Sequence, residues 1–127
     1  MRQFDVWKKH GHDINPALAW AVAFGPYHEH RALQLERKGL KTSPALAMAT
    51  IEHLHGMAKS VQVFKHVIRD ASLIMAAQPT FEKTRESVRA ERFRTRHYFG
   101  DALVYLKLRS AWTNSGTDLV QWWQQHL

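Results

Sequence analysis

Two dipeptides, Asn15-Pro16 and Ser43-Pro44, constrain the fold of this chain more than any other feature. In each, a side chain able to accept hydrogen bonds from first-turn amides precedes a proline. The proline's missing N–H costs nothing at the first helical position. Each pair therefore predicts a helix start. The strings that follow, PALAWA at 16–21 and PALAMA at 44–49, resemble each other no further. Two independent helix starts explain them better than an internal repeat. The first helix should end at Arg37-Lys38-Gly39. There two cations complement the negative end of the helix dipole, and glycine permits a left-handed cap. Gly25-Pro26, inside that span, predicts a kink or a division into two shorter helices.

The second helix reads from Ser43-Pro44 to Gln78-Pro79. Ile51, Leu54, Ala58, Val61, Phe64, Ile68, Ala71 and Met75 keep a three-four spacing and form its expected buried face. Its length would be about 33 residues, or roughly 50 Å, with Gly56 as the place for a bend. A third helix starts at Thr80, meets a break signal at Gly100-Asp101 and continues through Leu103, Val104 and Leu106 to Trp112. Thr113 to Gly116 carries the chemistry of a loop, and Thr117 is placed to cap a last short helix, DLVQWWQQHL. Strict alternation is absent, and the tightest strand candidate, ALVYLKL at 102–108, sits more easily in a helix. The expected fold is all-α: a small bundle of three long helices plus a short C-terminal helix. Residues 15–127 form a single helical domain behind an irregular N-terminal arm, 1–14, whose Phe4 and Trp7 suit pinning it to the body.

The 127 residues are 45% apolar, enough for a real core and too apolar for a disordered chain. Eighteen Lys and Arg against eleven Asp and Glu give a net charge of +7. Such a balance favours polyanionic partners. The absence of Cys excludes disulfides, thiolate metal sites and a Cys nucleophile. The start, MRQFDVWKKHGHD, lacks the apolar segment of a secretory signal, and the apolar run Ala17 to Phe24 is far short of the roughly 20 residues a bilayer needs. An intracellular protein is expected, cytoplasmic or in an organelle matrix, without a transmembrane segment.

Arg85, Arg89, Arg92 and Arg96 recur at spacings of four, three and four. Between Phe81 and Phe99 there is neither Gly nor Pro. Read as one helix, this stretch carries a guanidinium line roughly 16 Å long. Phe81, Val88 and Phe99 lie on the adjoining stripe, and Lys83, Arg94 and His97 add charge nearby. Glu82, Glu86 and Glu91 partly offset it. Arginine where lysine would keep the same charge favours bidentate contact with phosphate or carboxylate. No DNA- or RNA-recognition signature accompanies the line, so contact with a phosphate backbone is expected rather than base reading.

Six of nine histidines form His-x-His pairs: His10/His12, His28/His30 and His53/His55. On a helix the two rings of such a pair diverge by about 200° and cannot share one metal. Glu52 and His55 make a single Glu-x-x-His, where carboxylate-bridged bundles need two. They are weak metal candidates, and no metal or other cofactor is expected. No phosphate loop or nucleophile elbow is present, and no catalytic residue stands out, which argues against an enzyme. Leu119, Trp122, Trp123 and His126 share one face of the last helix. Its indoles must dock, either on the chain's own core or on a partner. The leading functional expectation is a basic binding or assembly module that contacts a polyanion, nucleic acid first, through Arg85, Arg89, Arg92, Arg96, Lys83 and Arg94. An alternative is an accessory subunit of a homo- or hetero-oligomeric complex, docking on an acidic protein surface. A second alternative is a metalloenzyme centred on Glu52 and His55.

Overall fold

The structure, a computed structural model, describes residues 15–58, 64–85 and 89–126. The N-terminal arm with Phe4, Trp7, His10 and His12 lies outside them, as do Val61, Glu86 and Val88. Seven helices run through the described residues: α1 (Pro16–Arg37), α2 (Thr42–Met57), α3 (Lys65–Ala76), α4 (Gln78–Thr84), α5 (Arg89–Arg94), α6 (Phe99–Thr113) and α7 (Thr117–Gln125). No strand occurs among these residues, and the all-α expectation holds.

α1 begins and ends where its sequence directs. Asn15 Oδ1 accepts from the Ala17 amide at 2.8 Å. At the other end Gly39 takes φ 106°. The Leu40 amide then donates to Leu35 and the Gly39 amide to Glu36, which is the double bond pattern of a Schellman cap. The helix runs unbroken through Pro26, so it is not two shorter helices. Gly25 serves a different purpose from the expected kink. It is buried, and the ring of Tyr105 on α6 packs against the place where a Cβ would be.

The expected second helix is divided. α2 starts one residue before Ser43-Pro44, without a side-chain cap, and ends just past Gly56. The next described residue after Ala58 is Phe64, extended at φ −73° and ψ 147°, from which α3 starts. Folding back lets α1, α2 and α3 pack against one another. Of the expected buried face, Leu54, Ile68, Ala71 and Met75 are buried, while Ile51, Ala58 and Phe64 are exposed.

The expected arginine helix is divided too. α4 stops at Thr84, Arg85 is extended at φ −55° and ψ 130°, and α5 restarts at Arg89. The cause is aromatic packing. In a straight helix Phe81 and Phe93 would stand roughly 18 Å apart, yet their ring centroids are 4.9 Å apart. Phe99 and Trp123 complete the cluster, with Trp123 centroids 5.5 to 5.7 Å from all three phenylalanines. The Trp123 Nε1–H donates to the Phe81 carbonyl at 3.0 Å. Gly100-Asp101, expected to interrupt a helix, instead lies in the first turn of α6. The loop after α6 forms as its composition directs, with Asn114 and Gly116 both at positive φ.

α6 packs on α1 and α3, and α7 packs on α6. One polar chain ties α6 to α1. The Tyr105 hydroxyl donates to Glu29 Oε2 at 2.9 Å, and Arg109 Nε donates to Glu29 Oε1 at 2.6 Å. Burial, and then the Glu29 charge, raise the phenol's pKa, so Tyr105 stays a donor at any physiological pH.

Candidate functional site

The break at Arg85 redistributes the six candidate cations. Arg85 turns towards α7, with nitrogens 3.7 Å from both Glu82 and Asp118. Arg94 also serves α7. It donates to the His126 carbonyl and contacts Glu91 at 3.3 Å. Cations suit the carbonyl end of a helix, where the dipole is negative. These two arginines hold the last helix in place, which a helical wheel could not distinguish from ligand contact.

The other four converge. Lys83 from α4, Arg89 and Arg92 from α5, and Arg96 from the turn after it line one cleft of about 700 Å³. Thr80 and Thr84, one turn apart on α4, line the same cleft, with Tyr98 and the buried Phe93. All four cations are exposed. Among the described residues no ion pair engages Lys83, Arg92 or Arg96. Among the described residues that line it, the cleft gathers positive charge and no carboxylate. Such a site favours an anion, and guanidinium forks favour a bidentate oxyanion such as phosphate. Thr80, Thr84 and Tyr98 were not among the sequence candidates. They share a cleft with the arginines because the chain bends after Thr84, so no periodicity could have found them.

The metal candidates Glu52 and His55 lie three residues apart on α2. Glu52 accepts from Arg31 Nε at 2.6 Å, while His55 is exposed. Among the described residues no group of three or more His, Asp or Glu is placed to hold a metal. Instead, two histidines from different pairs meet. His28 on α1 and His53 on α2 share a hydrogen bond, Nε2 to Nδ1, at 2.9 Å. One ring must donate and the other accept, so the pair needs at least one neutral ring. His28 is fully buried, and burial, with the neighbouring His53, lowers its pKa to about 4. Burial also lowers that of His53.

Of the two indoles proposed for partner docking, Trp123 is fully buried in the chain's own aromatic cluster. Trp122 is half-buried and stacks on His126 with centroids 4.1 Å apart. No helix among the described residues is long and apolar enough to cross a membrane.

No curated protein and no solved structure matches the chain. A family model described as the polymerase A arginine-rich C-terminus does match, over residues 38–127. The matched segment starts just after α1 and includes every cation of the cleft. It covers well over half of the sequence, and the chain therefore belongs to the family of the polymerase A arginine-rich C-terminus.

Proposed function

We propose that this basic helical module binds nucleic acid through its phosphate backbone, in the cleft formed by Lys83, Arg89, Arg92 and Arg96. The observation that carries the reading is the convergence of these four cations, from three separate segments, on one cleft. The family supports it. A polymerase works on a polynucleotide, and an arginine-rich segment from its C-terminus is suited to a polyanion that lies alongside. The cleft grips phosphates and reads no bases, since backbone contacts position a chain without reporting sequence. Tyr98, half-buried in the cleft wall, offers a ring on which an unpaired base stacks. Single-stranded RNA or DNA therefore binds more tightly than a duplex of equal length.

The test is fluorescence anisotropy with labelled RNA, single-stranded DNA and duplex DNA at several salt concentrations. Binding should fall steeply with salt for all three and vary little among unrelated sequences. Tyr98→Ala should cost about 1–3 kcal/mol on single strands and little on duplex. No binding to any of the three at low salt would overturn the proposal.

A further inference from the structure

The basic cleft is built from two short helices. α4 has seven residues and α5 six, lengths at which a helix has little stability of its own in water. The position of each therefore depends on what it buries. α5 buries Ala90 and Phe93. Phe93 also lines the cleft, and in the sequence it stands among Arg89, Arg92 and Arg96. Wherever the Phe93 ring is seated, the three arginines are carried with it.

That seat is made by Phe81, Phe99 and Trp123, with ring centroids 4.9, 5.3 and 5.6 Å from that of Phe93. Trp123 comes from α7, and it also binds α4. Its Nε1–H donates to the Phe81 carbonyl at 3.0 Å. That carbonyl lies in the last turn of α4, where a helix leaves acceptors without helical donors. The indole nitrogen thus caps the helix that carries Thr80, Lys83 and Thr84, while the indole ring supports the helix that carries Arg89 and Arg92. Arg85 and Arg94 reach α7 from the same two sides, through Asp118 and the His126 carbonyl. Trp123, Asp118 and His126 do not themselves line the cleft.

We propose that Trp123 is a positioning residue of the cleft, and that docking of α7 and binding of a polyanion strengthen each other. The inference rests on the nucleic-acid reading of that cleft. With α7 docked, the cations are arranged before the ligand arrives, so binding does not bear the cost of ordering them. With α7 undocked, α5 loses its fixed relation to α4, and fewer cations reach the same stretch of phosphate backbone. Coupling between two events is reciprocal. A polyanion that prefers the arranged cleft therefore holds α7 more firmly in place.

Two measurements test this. The first is anisotropy with labelled single-stranded RNA on the native chain, Trp123→Phe and Gly25→Ala, at a temperature where all three remain folded by circular dichroism. Trp123→Phe keeps a ring in the cluster but removes the donor to Phe81, and should weaken binding roughly tenfold. Gly25→Ala strains the α1–α6 contact, away from the cleft, and should bind like the native chain. The second is proton–nitrogen NMR hydrogen exchange of the native chain. RNA at about 100 times its Kd should slow local exchange of the α7 amides and the Trp123 indole by up to about 100-fold. It should leave the fraying amides of Gly39 and Leu40 at the end of α1 unchanged. Absence of RNA binding by the native chain at low salt would overturn the nucleic-acid reading and this inference with it. Native binding by Trp123→Phe, an equal loss in Gly25→Ala, or α7 exchange unmoved by saturating RNA would overturn the coupling alone.

Discussion

Replacing a helix-interior glycine with alanine ordinarily stabilises a protein by up to about 1 kcal/mol, because glycine has more backbone freedom to lose. At Gly25 the sign should reverse. A Cβ there would fall 2.7 Å from Tyr105 Cε2 and 2.8 Å from Cζ, and closer still to the hydroxyl oxygen. Tyr105 is fully buried and cannot swing aside into solvent. Either the ring shifts, or α1 and α6 separate. Overpacking of this kind costs about 1–3 kcal/mol. A displaced ring also loses its hydrogen bond to the Glu29 carboxylate, worth about 1.5–3 kcal/mol. Set against the helical gain, Gly25→Ala should destabilise by about 2–4 kcal/mol. Urea denaturation followed by far-ultraviolet circular dichroism would measure it. Adding Gly25→Ala to Tyr105→Leu should then cost much less than adding it to the native chain, because the obstructing ring is gone. A neutral or stabilising Gly25→Ala would refute the close packing of α1 on α6.

Three further outcomes follow from the same geometry. Because the folded state lowers the pKa of His28 to about 4, the contribution of neutral His28 is complete above the unfolded value near 6.5 and is lost as pH falls towards 4. That loss should reach roughly 3 kcal/mol, and the difference in stability between the native chain and His28→Gln across this window measures it. Phe64→Ala should change stability by less than about 1 kcal/mol, since the ring is 55% exposed, whereas Phe81→Ala should cost about 3–5 kcal/mol in thermal or denaturant unfolding. Arg94→Ala should loosen α7 through loss of its bond to the His126 carbonyl, seen as faster amide hydrogen exchange in α7 with little change elsewhere.

Local signals in the sequence located what local chemistry decides. Asn15-Pro16 and Gly39 bound α1, and Asn114 and Gly116 turn the chain before α7. The break after α2 is marked only by Gly56, which reads equally well as a bend, and the break at Arg85 has no such punctuation. Leu54, Ile68, Ala71 and Met75 stay in helical phase across residues 59–63, so the apolar pattern of two helices reads as one. At Arg85 the break serves contacts distant in sequence. Closing Phe81, Phe93 and Phe99 around Trp123 outweighs the helical preference of residues that contain neither Gly nor Pro. The arginines were legible as a group and illegible as individuals. Spacing marked Arg85, Arg89, Arg92 and Arg96, and proximity added Lys83 and Arg94, but only the tertiary structure sends Arg85 and Arg94 to α7 and the other four to the cleft.

That division is the central claim, and nucleic-acid binding as a function of salt tests it most directly. The comparison is between Arg92→Ala and Arg96→Ala in the cleft and Arg85→Ala outside it, all removing one positive charge. The claim predicts that each cleft variant lowers the slope of log affinity against log salt by about 0.7–0.9 on labelled RNA or DNA, while Arg85→Ala leaves it close to the native value. Equal slopes for all three variants would show that the bound polyanion senses only net charge, and would contradict a built cleft.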